Sequence, residues 1–134
     1  MKKTINLSLS EIPEIAAQVA KNLDGGEVFA LIGPLGSGKT TFTQSLGKHL
    51  EIRQKITSPT FTLLNCMPAK LKKNKKKIAF YHLDLYRTKN FAEAKALGLT
   101  EFWGKTHTVT LIEWADRIRR HLPKKTIIIN FKGQ

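Results

Sequence analysis

The sequence predicts an α/β protein of three layers, with a mostly parallel central sheet and helices on both of its faces. Val28–Ile32 is an apolar run without alternation, which is typical of a strand covered on both faces. A glycine-rich loop and a helical segment follow this run directly. Strand-like and helical segments then alternate towards the end of the chain, as they do in α/β proteins.

A strand and a helix are predicted before that run. Residues 3–9 alternate moderately as a strand does, and Ser10 can cap a helix that tolerates Pro13 in its first turn. Gly25 and Gly26 form a helix-stop signal. Apolar residues recur at helical spacing between these signals, which predicts core packing: Ile12, Ile15, Ala16, Val19, Ala20 and Leu23.

Seven segments are predicted after the glycine-rich loop. Helices are expected at residues 40–50, 91–97 and 115–122, and strands at residues 61–67, 78–83, 108–113 and 126–131. The strands at 61–67 and 78–83 can pair as a hairpin around a lysine-rich loop.

Length and composition predict one globular domain. The chain has 134 residues, of which 41% are hydrophobic and 25% charged, enough for a core without disulfide or metal support. The longest apolar run is far shorter than the roughly 20 residues of a membrane-spanning helix, and the N-terminus lacks the pattern of an export signal. We therefore expect a cytoplasmic protein without membrane association. The single cysteine, Cys66, lies in an apolar-leaning stretch and is expected to be a buried, inert thiol.

The net charge of +13 favours polyanionic partners such as nucleic acid. Much of the excess lies in a segment that we call the lysine loop: Lys70, Lys72, Lys73, Lys75, Lys76 and Lys77. The loop is either a solvated segment of lysine-biased composition or a surface that contacts phosphates, and its composition favours neither.

The strongest chemical signal is Gly33-x-x-x-x-Gly38-Lys39-Thr40, which matches the phosphate-binding loop between a strand and a helix and predicts the P-loop NTPase fold. Glycines allow backbone turns that direct successive N–H groups towards one anion, and the helix N-terminus adds its positive dipole end. Lys39 is expected to reach the β- and γ-phosphates of ATP, and the Thr40 hydroxyl to bind Mg²⁺. The predicted nucleotide contacts are Gly36, Ser37, Gly38, Lys39, Thr40 and Thr41.

Two carboxylates follow predicted strands at the edge of the sheet where such sites lie. We assign Asp84 to the magnesium shell and Glu113 to orienting or deprotonating the attacking water, although the sequence alone also permits the reverse. Thr60, in Ser-Pro-Thr-Phe at 58–61, is either a hydroxyl that senses the γ-phosphate or part of a proline turn. His82 shares a strand face with Asp84 and is expected to be packed or hydrogen-bonded.

Four motifs together resemble the TsaE family, the bacterial ATPases of tRNA threonylcarbamoyladenosine biosynthesis. They are Gly-x-Leu-Gly-x-Gly-Lys-Thr at 33–40, Ser-Pro-Thr-Phe at 58–61, His-x-Asp-Leu-Tyr-Arg at 82–87 and Ile-Glu-Trp at 112–114, and Leu-Gly-Leu-x-Glu-Phe at 97–102 also agrees. The resemblance implies an ATPase that is weak alone. It also implies work with the TsaB–TsaD pair, which transfers a threonylcarbamoyl group to the adenosine beside the anticodon of tRNA.

The resemblance also implies roles for individual residues. Lys39, Thr60 and Glu113 would act in catalysis. Thr40, Asp84 and Glu113 would surround Mg²⁺, and Trp114 would lie close to the nucleotide.

Three features depart from the family pattern, and one of them is the strongly basic composition with its lysine loop. Pro34 stands where the family usually has Asp, so any role of that Asp is absent. We expect residues 1–134 to form a single P-loop ATPase domain without the closing strand pair that family members generally have after their last strand.

Three other function classes share some of these features. A small nucleoside or nucleotide kinase shares the phosphate loop, but it needs an acceptor site and usually an arginine-bearing lid, for which the chain is short. The net charge of +13 is also consistent with a basic nucleic-acid-binding module. Direct contact between the lysine loop and tRNA stays open as a hypothesis. A GTPase would be expected to have an Asn-Lys-x-Asp motif, whereas Asn74-Lys75 is followed by lysines.

Overall fold

A computed structural model describes residues 3–57 and 63–133, apart from the side chains of residues 116 and 117. Its six strands form one sheet in the order β1-β6-β2-β5-β4-β3. Four of the five neighbouring pairs are parallel, and only β3 and β4 pair antiparallel. The strands are β1 (Lys3–Leu7), β2 (Val28–Ile32), β3 (Leu64–Lys70), β4 (Lys77–Asp84), β5 (Thr108–Glu113) and β6 (Ile127–Phe131). The predicted α/β fold is confirmed.

Helices cover both faces of this sheet. They are α1 (Ile12–Asn22), α2 (Lys39–His49) and α3 (Phe91–Ala96), with 3₁₀ turns at Leu9–Glu11 and Ala115–His121. One core cluster joins α1 and α2 to the sheet, and a second joins α3 and the later 3₁₀ turn to it. In β2, Phe29 and Leu31 belong to the first cluster, whereas Val28 and Ala30 belong to the second. Burial on both faces explains why this strand is apolar throughout.

The start of the first helical segment differs from the prediction. Ser10 lies within a 3₁₀ turn, and Ser8 precedes that turn as its cap. The Ser8 backbone N–H and hydroxyl both donate to a Glu11 carboxylate oxygen, at 2.9 and 2.7 Å. The helix α1 then ends at Asn22, before the two glycines.

The segment after β5 is a 3₁₀ turn rather than the predicted α-helix. Ile118 breaks it with φ −124° and ψ 22° and is 1% exposed. Ala115 and Leu122 are buried in the same cluster, so packing against the sheet outweighs regular helical hydrogen bonding here.

The hairpin of β3 and β4 is confirmed, but Cys66 is exposed, and the prediction of a buried thiol is wrong. Alternation along this edge strand turns Met67 and Ala69 into the core and leaves Cys66 on the other face. Among the described residues, no helix is long and apolar enough to span a bilayer.

Candidate nucleotide-binding site

The loop between β2 and α2 has the backbone that its glycines predict. Gly36 has φ +78° and Gly38 has φ +108°, both left-handed values that disfavour residues with a Cβ atom. Gly38 caps α2, whose first residue is Lys39. The loop therefore ends at the positive end of an 11-residue helix, where anions bind favourably.

Packing holds this loop on two sides and leaves one side open. A Cβ atom on Gly33 would lie 2.8 Å from the Phe131 Cβ atom, and one on Gly38 would lie 2.5 Å from the Ile12 Cδ1 atom. A Cβ atom on Gly36 would meet nothing within 4 Å. The loop thus rests against β6 and α1 and presents Gly36 to open space.

Lys39 is 6% exposed, and polar groups of the loop surround its ammonium. The Nζ atom donates to the Gly33 carbonyl oxygen at 2.5 Å and lies 3.4 Å from that of Pro34. It also lies 4.2 Å from the centroid of the Trp114 ring, a cation–π distance. A positive charge is therefore held at the base of the loop by carbonyl dipoles and a ring face.

The Ser37 side chain is the second buried polar group in the loop. It is 2% exposed, and its Oγ atom has no hydrogen-bond partner among the described residues. This atom faces the loop itself, since a Cβ atom built on Gly33 would lie 2.7 Å from it.

Asp84 and Glu113 lie side by side at the ends of neighbouring parallel strands. They are register partners between β4 and β5, and each is 3% exposed. Asp84 Oδ1 accepts the Tyr86 backbone N–H at 2.9 Å. Glu113 Oε2 lies 2.5 Å from Nε2 of His82, which is fully buried, so the expectation of a hydrogen-bonded histidine is confirmed.

A cavity of about 600 Å³ joins the loop to these carboxylates. Eight of the residues that the sequence assigned to nucleotide or metal binding line it: Gly36, Gly38, Lys39, Thr40, Thr41, Asp84, Glu113 and Trp114. Ser37 is absent from that lining. Thr60 and the rest of the motif at 58–61 lie outside the described residues, so their placement stays a prediction.

Three lining residues received no role from the sequence: Leu9, Leu35 and Tyr86. Leu35 is 90% exposed at the loop. The Tyr86 ring centroid lies 5.0 Å from that of Trp114. Tyr86 is the tyrosine of the His-x-Asp-Leu-Tyr-Arg motif at 82–87, and this motif was its signal in the sequence.

Trp114 combines its place at the cavity with an unusual backbone. Its φ of +60° and ψ of +34° are left-handed, which is uncommon for a bulky residue. Such conformations concentrate at functional sites, where the surrounding structure holds them. Here the turn carries the chain from β5 into the 3₁₀ turn and places the indole ring beside Lys39.

Comparisons with known proteins identify relatives of this chain. The model of the family described as "Threonylcarbamoyl adenosine biosynthesis protein TsaE" matches residues 7–134. The tRNA threonylcarbamoyladenosine biosynthesis protein TsaE of Treponema pallidum is 32% identical over 130 residues, covering 97% of this chain and 90% of the relative. The protein of the same name from Bacillus subtilis is 36% identical over 122 residues, covering 91% and 72%.

A solved structure supports the same assignment. The crystal structure of Bacillus subtilis YdiB aligns with a TM-score of 0.66 and 31% sequence identity, covering 96% of this chain and 75% of that one. The chain belongs to the TsaE family of tRNA threonylcarbamoyladenosine biosynthesis proteins.

Proposed function

We propose that this chain is a P-loop ATPase, weak alone, that supports TsaB and TsaD in forming N6-threonylcarbamoyladenosine beside the anticodon of tRNA. One observation carries the ATPase proposal. A single cavity brings the glycine loop at the start of α2 to two buried carboxylates at the ends of β4 and β5.

The loop residues fit a triphosphate. The helix N-terminus and the buried ammonium of Lys39 both favour an anion. The cavity volume of about 600 Å³ is within the usual range for small-molecule sites. The exposed ring of Tyr86 and the ring of Trp114 offer apolar surface beside the phosphate loop.

The polar residues of the cavity also fit Mg²⁺. Thr40, Asp84 and Glu113 supply oxygen atoms, which this cation prefers. Within the described residues, no group of three or more His, Cys, Asp or Glu could hold a metal by itself. Phosphate oxygens and water would therefore complete its shell, as is usual for magnesium in nucleotide sites. Bound Mg²⁺ would neutralise phosphate charge and fix phosphate geometry.

Four residues of the chain have separate roles in the proposed hydrolysis of ATP. Lys39 would exchange its contacts to loop carbonyls for phosphate oxygens, where its charge stabilises the transferred group. Asp84 would support the magnesium shell. Glu113 would orient or deprotonate the attacking water. The proposal that Thr60 is the switch hydroxyl rests on its motif alone.

The test is an ATPase assay with and without TsaB, TsaD and tRNA, together with Mg-ATP titrations. Lys39→Ala should abolish Mg-ATP binding, whereas Lys48→Ala, on the exposed side of the same helix, should bind as the wild type does. Glu113→Gln should keep binding and lose turnover by about 10²–10⁴-fold, the range for general acid–base groups. Equal Mg-ATP affinity of the Lys39→Ala variant and the wild type would contradict the ATPase proposal.

We also propose that the lysine loop contacts tRNA directly. Leu71 is buried and anchors the hairpin turn. Two lysines form exposed ion pairs, Lys73 with Asp24 at 2.6 Å and Lys75 with Glu51 at 2.7 Å. The other four lysines of the loop are exposed and supply positive charge to this end of the hairpin: Lys70, Lys72, Lys76 and Lys77.

This surface lies away from the nucleotide cavity. The strand β4 begins at Lys77 and ends at Asp84, a span of about 20 Å at the usual rise per residue. A tRNA backbone could thus contact the loop without covering the phosphate site.

Salt-dependent tRNA binding by the assembled complex tests this contact. Changing Lys70, Lys72, Lys76 and Lys77 to Gln should weaken affinity and flatten the dependence on log salt, by about 0.7–0.9 for each phosphate that the protein no longer neutralises. Changing Lys73 and Lys75 to Gln should have a smaller effect, because acids already neutralise them. Unaltered affinity and slope in the fourfold variant would contradict the direct role of the loop.

A further inference from the structure

We propose that His82 is a positioning residue for Glu113 and that it sets the orientation of the carboxylate at the cavity. This inference rests on the proposed function, since a fixed orientation matters for turnover only if Glu113 acts on the attacking water. The pair is buried, with side-chain exposures of 0% for His82 and 4% for Glu113. Nε2 and Oε2 lie 2.5 Å apart, in direct hydrogen-bond contact.

Strand geometry explains the contact. His82 is the register partner of Leu111 in β5, and Glu113 lies two residues further along the same strand face. His82 therefore reaches Glu113 diagonally across the two strands, a spacing within reach of long side chains. The contact is built into two core strands instead of a loop.

The surroundings of the imidazole indicate which nitrogen carries its proton. Nδ1 of His82 is buried and has no hydrogen-bond partner among the described residues. With the proton on Nε2, the ring donates to the Glu113 carboxylate and leaves only an acceptor unpaired. With the proton on Nδ1, a buried N–H would be unpaired instead, and two acceptors would face each other.

A hydrogen-bond donor is needed to hold the Glu113 carboxylate in place, because the carboxylate of Asp84 lies beside it. Asp84 is its register partner, and two carboxylates side by side on one strand face repel each other. A glutamate also has three rotatable side-chain bonds, so it can turn away from the cavity. The hydrogen bond from His82 fixes Oε2 and thereby fixes the direction of Oε1.

If His82 positions Glu113, then loss of the imidazole should affect ATP turnover more than Mg-ATP binding. Lys39 and the loop backbone carry phosphate binding, whereas His82 is hydrogen-bonded to Glu113. Removing the imidazole donor should therefore lower kcat more than it weakens Mg-ATP binding, because Lys39 and the loop backbone still hold the phosphates. Hydrogen-bond partners that orient metal-ligating side chains typically contribute about 10–100-fold in metal affinity or activity.

Two variants separate the hydrogen bond from side-chain packing. His82→Gln can place an amide N–H near the position of Nε2, whereas His82→Met has similar length and no donor. We expect His82→Met to lower partner-stimulated kcat by about 10–100-fold and His82→Gln to restore most of it. Thermal unfolding of both variants checks that their stabilities match.

Nitrogen-15 NMR of the free wild-type protein supplies a readout independent of activity. It should show the His82 proton on Nε2, with a resonance that moves in the Glu113→Gln variant. A proton on Nδ1 with none on Nε2, or equal kcat values for His82→Met and the wild type, would overturn the positioning role alone. A wild type without ATP hydrolysis would overturn the proposed function and this role together.

Discussion

Gly36 and Gly104 form a matched pair for testing the role of the phosphate loop. Their φ values are +78° and +77°, and a Cβ atom added to either meets nothing within 4 Å. Replacing either glycine by alanine therefore introduces backbone strain without a steric clash in the free protein. The strain of a left-handed alanine is about 1–2 kcal/mol. Any effect of alanine on the unfolded chain is the same for both variants and cancels in the comparison.

The strain should appear in different measurements at the two positions. Gly104 does not line the cavity, so its whole cost should lower the free energy of unfolding. Gly36 lines the cavity, and its loop can relax in the free protein. Mg-ATP must then restore the left-handed conformation on binding, and about 1–2 kcal/mol corresponds to roughly 5–30-fold weaker binding. The decrease in stability and the decrease in binding energy in Gly36→Ala should together reach about 1–2 kcal/mol.

Denaturant unfolding and Mg-ATP titration of both variants measure how the strain energy divides between lost stability and lost binding energy. Gly104→Ala should bind Mg-ATP as the wild type does and unfold more easily. Gly36→Ala should be impaired in binding, in stability or in both. The reasoning would be refuted if Gly36→Ala kept both the stability and the affinity of the wild type.

Three further predictions follow from single contacts. Mg-ATP should change the tryptophan fluorescence through Trp114, so the signal should vanish in Trp114→Phe and persist in Trp103→Phe; the reverse pattern would place the nucleotide elsewhere. The backbone N–H and then the hydroxyl of Ser8 lower the pKa of Glu11 from its ordinary 4.5. Its contribution to stability is therefore fully present above about pH 4.5 and is lost as the pH falls through the folded-state pKa. In an NMR titration, Ser8→Ala should raise this pKa, and an unchanged value would count against the cap. Cys66 should react with a thiol reagent in the native protein, whereas reaction only after unfolding would contradict its exposure.

Local patterns in the sequence were sufficient for most of the fold. The apolar run of β2 requires cover on both faces, and the glycine loop after it requires a strand and a helix on either side. Two predicted strands, Val28–Ile32 and Thr108–Glu113, have the same bounds in the structure. The placement of Asp84 and Glu113 at one edge followed from the same pattern, since parallel strands end together.

Features that depend on tertiary packing could not be predicted from the sequence. Cys66 lies in an apolar-leaning stretch, but its exposure depends on β3 being an edge strand. The choice of Ser8 over Ser10 as a cap depends on how the chain leaves β1. The contact between His82 and Glu113 depends on the register between two strands separated by more than 20 residues. Thr60 stays a prediction.

The register between β4 and β5 also determines which side chains of β4 face the nucleotide cavity. Leu83 lies between His82 and Asp84 in β4, and it is fully buried in the cluster on the opposite face of the sheet. A shift of β4 by one residue would turn Leu83 towards the cavity face and carry both polar side chains into the second cluster. Burying Leu83 in the second cluster opposes that shift, because such a side chain contributes about 1.5–3 kcal/mol when removed from water. The apolar positions that predict the strands are therefore the same ones that hold Asp84 beside Glu113 at the phosphate loop.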